Sequence, residues 1–305
     1  MDDRTWLGFW GKARPHEAGS GPMHPLAAHA LDVAAVAMLM PRPTAAVLPR
    51  RTLGFLVALH DIGKFSRTFQ SLVPEYWPAG VLGPLPDGPL QGPRHDALGY
   101  HLIRSLADDL NSVLPPRQSV PGGWNDGDLT YLFQALAGHH GRPVDPDGHV
   151  PPAALCAACR EAARDFVAAM LDAFRPPPLM PPTGRSAAQR LGWDLAGAVT
   201  LADWVGSREA WFPYVTEAAV ADPTAYLWDH ALPRAAAALA QAGLAAAPAS
   251  RFGGIRGLFP RIEVPSPIQD WAATVQLRVP RGRGDEPRHA GRCHAHAPCS
   301  PRARG

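Results

Sequence analysis

Residues Phe55-Leu56-Val57-Ala58-Leu59-His60-Asp61-Ile62-Gly63-Lys64 place a histidine and an aspartate at the end of an apolar run. An imidazole beside a carboxylate at a helix end offers a borderline metal one nitrogen ligand and one hard oxygen ligand. Gly63 lets the backbone turn, which brings Lys64 near the same site as a point charge for phosphate. The same residues are also typical of an ordinary helix C-terminus, where His and Lys interact favourably with the negative end of the helix dipole. The rest of the sequence decides between these two interpretations.

An apolar segment upstream carries another histidine. His29 lies on an otherwise apolar helix, with Asp32 three residues later on the same face. Asp32 is expected to orient the imidazole of His29 without binding the metal itself. His24 is an alternative first ligand, although its position is more typical of a cap or loop residue. A core histidine bonded to a backbone carbonyl is the non-functional interpretation of His29.

Three segments downstream add to the pattern. His95 opens a helix after a Pro-rich loop, and His139-His140 closes another helix between two glycines. A Gly-flanked helix end can bend both imidazoles toward one ion, although an exposed turn has the same sequence. Asp203 lies in an apolar helix, where an unpaired charge is costly, so it needs a partner such as a metal.

Helical spacing of apolar residues dominates the chain up to Arg261, and alternating strand patterns are nearly absent. The fold class predicted is therefore all-α, a helical bundle with long Pro/Gly-rich loops between its helices. The predicted helices are Leu26 to Met40, Arg51 to His60, His95 to Leu110, Leu129 to His139, Ala153 to Phe174, Ala187 to Val205 and Thr224 to Leu239.

The charge of the chain is nearly balanced, at +2 over 305 residues, and its basic excess lies at the end. From Arg278 onward the sequence is rich in Arg, Gly, Pro and His with almost no aliphatic residues. Residues 278–305 cannot bury enough apolar surface to fold, so we predict a disordered C-terminal tail. Because the body is slightly acidic, any nucleic-acid-binding surface must be local or supplied by metal ions.

The four cysteines do not suggest a disulfide framework. Cys156 and Cys159 lie in an Ala-rich helical stretch without two further zinc ligands nearby, and we interpret them as helix packing. Cys293 and Cys299 lie in the tail. The start of the chain has no apolar signal region and no stretch is long enough for a membrane span, so a cytoplasmic protein without membrane contact is expected.

The ligand order His, His-Asp, His, His-His, Asp resembles the HD phosphohydrolase superfamily, and more closely the HD nuclease domain of the CRISPR type I helicase-nuclease. The resemblance covers roughly residues 6 to 215 and continues more weakly to about residue 277. The matching strings are Trp10-Gly11-Lys12, His24-Pro25-Leu26 through Val33-Ala34, His60-Asp61-Ile62-Gly63-Lys64-Phe65, Gly138-His139-His140-Gly141-Arg142 and Leu201-Ala202-Asp203-Trp204.

The resemblance implies a division of the chain into three parts. Residues 1–245 would form the HD nuclease domain, residues 246–277 a linker and the start of a helicase-like segment around Gln269, and residues 278–305 the tail. A Gly-x-x-x-x-Gly-Lys-Ser/Thr phosphate loop does not occur in the sequence, so ATPase and helicase activity are not expected. The low-complexity end looks like a truncated or frame-shifted product.

The resemblance also implies two divalent transition-metal ions, iron or manganese before cobalt or nickel. The first ion would be held by His29, His60, Asp61 and Asp203, and the second by Asp61, His95, His139 and His140. Asp61 would bridge them, a bridging hydroxide would attack the phosphodiester, and Lys64 would stabilise charge on the phosphate oxygens.

Single-stranded DNA is the substrate that the resemblance implies, with a CRISPR RNA-guided surveillance complex as a docking partner. Arg142 and Arg208 are candidate contacts to the DNA backbone. Candidate stacking platforms for bases are Trp204, Trp211, Trp6 and Trp10. Two alternatives stay open: an HD phosphohydrolase that acts on nucleotides, and an inactive fragment that serves only as a binding module.

Overall fold

The computed structural model describes residues 4–13, 23–41, 48–88, 90–142, 144–245 and 254–274. The predicted disordered tail, with Cys293 and Cys299, lies outside these residues. Most of the described chain is helical, which confirms the all-α prediction, and the predicted helices are present with ends shifted by a few residues.

The helices and strands are as follows in chain order. The strands are β1 (Trp10–Ala13) and β2 (Met23–Pro25). The helices are α1 (Leu26–Leu39), α2 (Arg50–Ala58), α3 (Arg67–Gln70), α4 (Ala79–Leu82), α5 (His95–Ser105), α6 (Asp126–Ala137), α7 (Ala157–Phe174), α8 (Arg185–Gly206), α9 (Pro223–Ala225), α10 (Leu232–Gln241), α11 (Ile255–Leu258) and α12 (Pro267–Thr274). Short 3₁₀ turns span Thr5–Gly8, Ile62–Lys64, Pro74–Tyr76, Ala107–Leu110 and Glu217–Val220, and a π-helical turn, Tyr226–Ala231, joins α9 to α10.

Helix α1 is the centre of the bundle. Every residue from Leu26 to Met38 is buried, and α2, α8 and α10 pack around it. A helix that is apolar on all sides must be enclosed in this way. Its two polar side chains, His29 and Asp32, are therefore buried and need partners from other elements.

The N-terminal segment is connected to the bundle through a two-stranded antiparallel sheet, which was not predicted from the sequence. Lys12 in β1 pairs with His24 in β2, immediately before α1 begins. The buried side chain of Gln70 accepts a hydrogen bond from Trp10 N at 3.3 Å and donates to the carbonyls of Trp10 and Lys64. The sheet is thus held directly against the turn that follows α2.

The segment 254–274, which includes part of the predicted helicase-like region, leaves most of its large apolar side chains exposed. Among the helices that the structure describes, none combines the length and the apolar character needed to cross a membrane.

Candidate metal centre

The turn after α2 presents the two residues of the His60-Asp61 pair. The Nδ1 of His60 lies 2.9 Å from the carbonyl oxygen of Val57 in the last turn of α2. Because a carbonyl only accepts, Nδ1 carries the proton and the lone pair of the neutral ring is on Nε2. The chain then enters the 3₁₀ turn Ile62–Lys64, with Asp61 immediately before it.

Asp61 is the centre of a cluster of imidazoles. Its Oδ2 lies 3.1 Å from Nε2 of His29 and 3.3 Å from Nε2 of His60. Its Oδ1 lies 3.3 Å from Nε2 of His95 and 3.4 Å from Nε2 of His139. Four histidines from α1, the turn after α2, α5 and the end of α6 therefore meet at one buried carboxylate.

Asp203 reaches the same cluster from the last turn of α8. Its Oδ1 lies 3.6 Å from Nε2 of His29 and 3.8 Å from Nε2 of His60. Ser207 donates a hydrogen bond to this oxygen at 2.7 Å. Ser207 follows Asp203 by one helical turn, and this spacing could have identified it as a supporting residue in the sequence.

The adjacent histidines at the end of α6 both turn toward the cluster. Nδ1 of His139 lies 3.3 Å from the carbonyl oxygen of Leu136, which directs its Nε2 to Asp61. Nε2 of His140 lies 2.9 Å from Nε2 of His95. The imidazoles of His95, His139 and His140 thus form a second group beside the one around His29 and His60.

The buried atoms of the cluster fit a metal ion. Nε2 of His60, Nε2 of His139 and Oδ1 of Asp61 are buried and lack hydrogen-bonding partners among the described residues. Lone pairs of His60 and His139 face carboxylate oxygens, and such contacts repel unless a proton or a cation lies between them. A mixed imidazole and carboxylate set without thiolate suits divalent transition metals.

For Asp61, Asp203 and His29, the surroundings favour the form that binds metal. Burial raises the pKa of Asp61, but Lys64 and His60 outweigh it and hold that pKa well below 3.8. Burial also opposes ionisation of Asp203, yet His60 and His29 lower its pKa to about 2. Burial, together with Lys12, holds the pKa of His29 well below 6.5. Metal ligation requires these ionised carboxylates and neutral imidazoles.

The two histidines at the end of α6 respond oppositely to this environment. Burial and the neighbouring His139 lower the pKa of His140 to about 4. Burial also lowers the pKa of His139, but the Asp61 carboxylate 3.4 Å from its Nε2 and the charge of Asp203 outweigh this effect and raise it. Protons therefore compete with a metal ion for His139 more strongly than for His140.

Two lysines lie near the cluster. Lys64 Nζ is 2.7 Å from Asp61 Oδ2 and donates to the carbonyl of Gly11 at 2.9 Å. Lys12 was not predicted as a site residue, although the sequence contains only these two lysines. Its charge interacts with those of Asp203, Lys64 and Asp61.

The predicted role of Asp32 does not fit the structure, and His24 is not a metal ligand. Asp32 does not orient His29: its Oδ2 lies 3.2 Å from Nε2 of His24, and it accepts a hydrogen bond from the Tyr226 hydroxyl at 3.1 Å. His24 also accepts a hydrogen bond from the backbone N–H of Val215. Both of its ring nitrogens are therefore engaged, and it is not part of the ligand cluster.

The predicted DNA contacts lie outside the ligand cluster. Arg142 and Arg208 are both exposed, and the guanidinium of Arg208 lies 4.6 Å from the ring centre of Trp211. Trp204 is exposed beside Asp203. Two of the predicted stacking platforms are wrong, since Trp6 and Trp10 are buried in the core.

Comparisons with known proteins agree with this geometry. The family model described as "Cas3, HD domain" matches residues 10–212. No curated protein gives a significant match. A solved CRISPR-associated protein is 28% identical with a TM-score of 0.63, over 88% of this chain and 30% of its own length.

Two further structures extend the comparison. The Thermus thermophilus cas3 HD domain, solved in the presence of Ni²⁺, is 27% identical with a TM-score of 0.50, over 79% of this chain and 93% of that one. A chain of a CRISPR RNA-guided surveillance complex in a pre-nicking state is 26% identical with a TM-score of 0.53, over 77% of this chain and 29% of that one. The chain spans about a third of the longer proteins.

Proposed function

The chain belongs to the Cas3 HD-domain family, and on that premise we propose that it is a metal-dependent nuclease that cleaves the phosphodiester backbone of single-stranded DNA. The observation that carries the proposal is the convergence of four histidines on the buried Asp61, with buried ligand atoms that lack other partners among the described residues. The proposed ligands are His29, His60, Asp61, His95, His139, His140 and Asp203.

We propose two divalent ions, iron or manganese before cobalt or nickel, with Asp61 shared between them. Bound ions would supply an activated water and neutralise charge on the phosphate. The protein's part is to hold the ligands in their metal-binding forms, with Ser207 fixing Asp203 and the Val57 and Leu136 carbonyls fixing the histidine tautomers. Lys64 holds Asp61 against β1 and adds positive charge beside the substrate phosphate.

A groove of about 700 Å³ between α6 and α8 supports single-stranded nucleic acid as the substrate. It is lined by Trp193 and Trp204, which are 75% and 69% exposed, and by Arg142. The groove also includes Gly138 and Gly141, on both sides of the His139-His140 pair. Unstacked bases bind to exposed aromatic rings, and phosphates bind to arginine. Arg142, and Arg208 beside Trp211, remain the proposed backbone contacts.

The biological setting that we propose is CRISPR-associated defence. One similar chain occurs in a CRISPR RNA-guided surveillance complex. We propose that this protein likewise acts on DNA that such a complex exposes. Helicase activity is not part of the proposal, because the chain covers only 30% of the longer structures to which it is similar.

The test is cleavage of circular single-stranded DNA by the full chain loaded with Mn²⁺ or Fe²⁺. We expect metal-dependent cutting that EDTA abolishes and that Asp61→Asn reduces by at least about 100-fold, because the shared ligand is lost. Asp96→Asn is the matched control. Its carboxylate lies beside Arg94 and accepts a hydrogen bond from the N–H of Ala97, outside the cluster.

Metal analysis of the same samples measures the number of ions. We expect two ions per wild-type chain and fewer in Asp61→Asn, with an unchanged helical circular dichroism spectrum. A folded, metal-loaded chain that does not cut DNA would contradict the nuclease proposal. Release of inorganic phosphate from nucleotides by that same sample would instead identify a nucleotide hydrolase.

A further inference from the structure

The structure also contains a dithiol that the candidate metal centre does not use. Cys156 is the N-cap residue of α7, and its Sγ lies 2.9 Å from Sγ of Cys159. The backbone N–H of Cys159 donates to Cys156 Sγ at 3.3 Å. The predicted packing within a helix does not hold for Cys156, which precedes α7 and is only partly buried, whereas Cys159 is buried.

The Cys-Ala-Ala-Cys spacing produces this contact. An N-cap side chain points back toward the backbone N–H three residues later, at the third position of the helix. Here that third residue is Cys159, so the capping geometry brings the two sulfur atoms together. Helix α7 has 18 residues, so the capping sulfur lies at the N-terminus of a long helix.

The two thiols have different surroundings. Cys156 is partly exposed, whereas the side chain of Cys159 is enclosed in the core. Burial, followed by the hydrogen bond to Cys156, raises the pKa of Cys159 to about 12. The sulfur of Cys156 is thus accessible to a reagent. Cys159 stays a protonated thiol, close enough to Cys156 to form a disulfide with it.

A zinc site does not account for this pair. Among the described residues, the clusters with the geometry to hold a metal ion are all at the candidate metal centre, and none includes a cysteine. Structural zinc needs four ligands, and catalytic zinc needs three. The remaining chemistry of two adjacent thiols is oxidation to a disulfide.

We propose that Cys156 and Cys159 form a thiol–disulfide exchange site, which reacts with a low-molecular-weight disulfide and closes to an intramolecular disulfide. The Cys156 thiolate attacks one sulfur of the small disulfide, forms a mixed disulfide and releases one small thiolate. Cys159 then attacks Sγ of Cys156, its proton passes to the leaving sulfur, and the second small thiol departs. The protein loses two hydrogen atoms and the small disulfide gains them.

The experiment treats the full chain, carrying Cys293→Ser and Cys299→Ser, with oxidised glutathione under non-denaturing conditions. After alkylation, mass spectrometry reads the tryptic peptide that ends at Arg160 and carries both cysteines. We expect loss of both alkylatable thiols, without a glutathione adduct, and their full recovery after treatment with dithiothreitol.

Two variants separate the roles of the cysteines. Cys159→Ala should stop at a stable glutathione adduct on Cys156, because the second thiol is missing. Cys156→Ser keeps a capping oxygen and should leave Cys159 reduced, because that sulfur is buried. A persistent adduct on Cys156 with Cys159 present, or two unreacted thiols in the folded protein, would overturn the proposal.

Discussion

Lys64 and Lys12 act on the candidate site in different ways. Lys64 forms an ion pair with Asp61 and a hydrogen bond with the backbone of β1. It therefore fixes the position of Asp61 and also adds positive charge to the site. Lys12 interacts with the charge of Asp203, but burial is the larger effect and lowers its pKa from 10.5 to about 8. Its positive charge is therefore lost at a pH where lysines ordinarily retain theirs.

The rate of DNA cleavage should decline as the pH rises through about 8, because Lys12 loses the charge that attracts phosphate. Bound metal ions disfavour the positive charge of Lys12, so the decline should occur at or below this pH. Lys12→Arg keeps its charge and should sustain cleavage at alkaline pH, whereas Lys12→Met should lower the rate about tenfold or more even at pH 7. Initial rates against pH at fixed Mn²⁺ measure this effect.

Stability provides an independent measure of the same pKa. Between pH 8 and 10.5 the unfolded chain still binds the Lys12 proton that the folded chain has lost. Between these pH values, the free energy of unfolding of the wild type should therefore rise with pH relative to that of Lys12→Met. If the rate of DNA cleavage declines equally at alkaline pH in the wild type and in Lys12→Arg, a group other than Lys12 controls that decline.

At the scale of elements, the packing of α5 on the 3₁₀ turn Ile62–Lys64 positions His95 against Asp61. Gly63 permits this approach: a Cβ there would lie 1.8 Å from the carbonyl oxygen of His95 and 2.4 Å from the nitrogen of Gly99. Gly63 is thus required by close packing and not, as predicted, by a turn of the backbone.

Gly63→Ala should lower the free energy of unfolding by about 3 kcal/mol or more, because backbone atoms of α5 must move away. Gly197→Ala, within α8, is the control. Its Cβ would meet no atom within 4 Å apart from the neighbouring backbone of α8, and the substitution should stabilise the helix by up to about 1 kcal/mol. Urea unfolding followed by circular dichroism measures both; equal stability of Gly63→Ala and wild type would contradict the packing argument.

The spacing of apolar residues predicted the main helices because they bury apolar side chains at helical intervals, but it did not predict local departures from regular helix. Pro233 lies inside the predicted helix Thr224 to Leu239. It lacks an N–H and crowds the preceding turn, and the chain forms the π-helical turn Tyr226–Ala231 just before it. Strands β1 and β2 have four and three residues, too few for an alternating pattern to be recognised.

At the scale of the whole molecule, the sequence order of His and Asp residues predicted which side chains the fold would bring together. It could not predict partners that come from distant segments. Asp32 is bonded to Tyr226, which lies 194 residues away in sequence, and the local spacing to His29 was therefore misleading. The proximity of Lys12 to Asp203 likewise depends on the pairing of β1 with β2, the strand that immediately precedes α1.

The groove between α6 and α8 is another product of the assembled fold. Trp193 and Trp204 are 11 residues apart on α8, close to three helical turns, so both lie on the groove side of the helix, with their backbones about 16.5 Å apart along its axis. Trp204 directly follows the proposed ligand Asp203. A single strand that stacks on both rings would therefore pass beside the candidate metal centre.

Trp204→Ala should weaken binding of single-stranded DNA by about 1–3 kcal/mol, which is roughly 5- to 150-fold in Kd, because one stacking platform is lost. Fluorescence anisotropy in the Asp61→Asn background measures binding without cleavage. Trp193→Ala should have a similar effect, and the double variant should bind more weakly than either. Trp228→Ala is the matched control, since Trp228 is 38% exposed and does not line the groove. Equal affinities for Trp204→Ala and Trp228→Ala would place the DNA elsewhere on the protein. A lower affinity for the groove variants, with an unchanged metal content, would show that the groove contributes to binding without holding the ions.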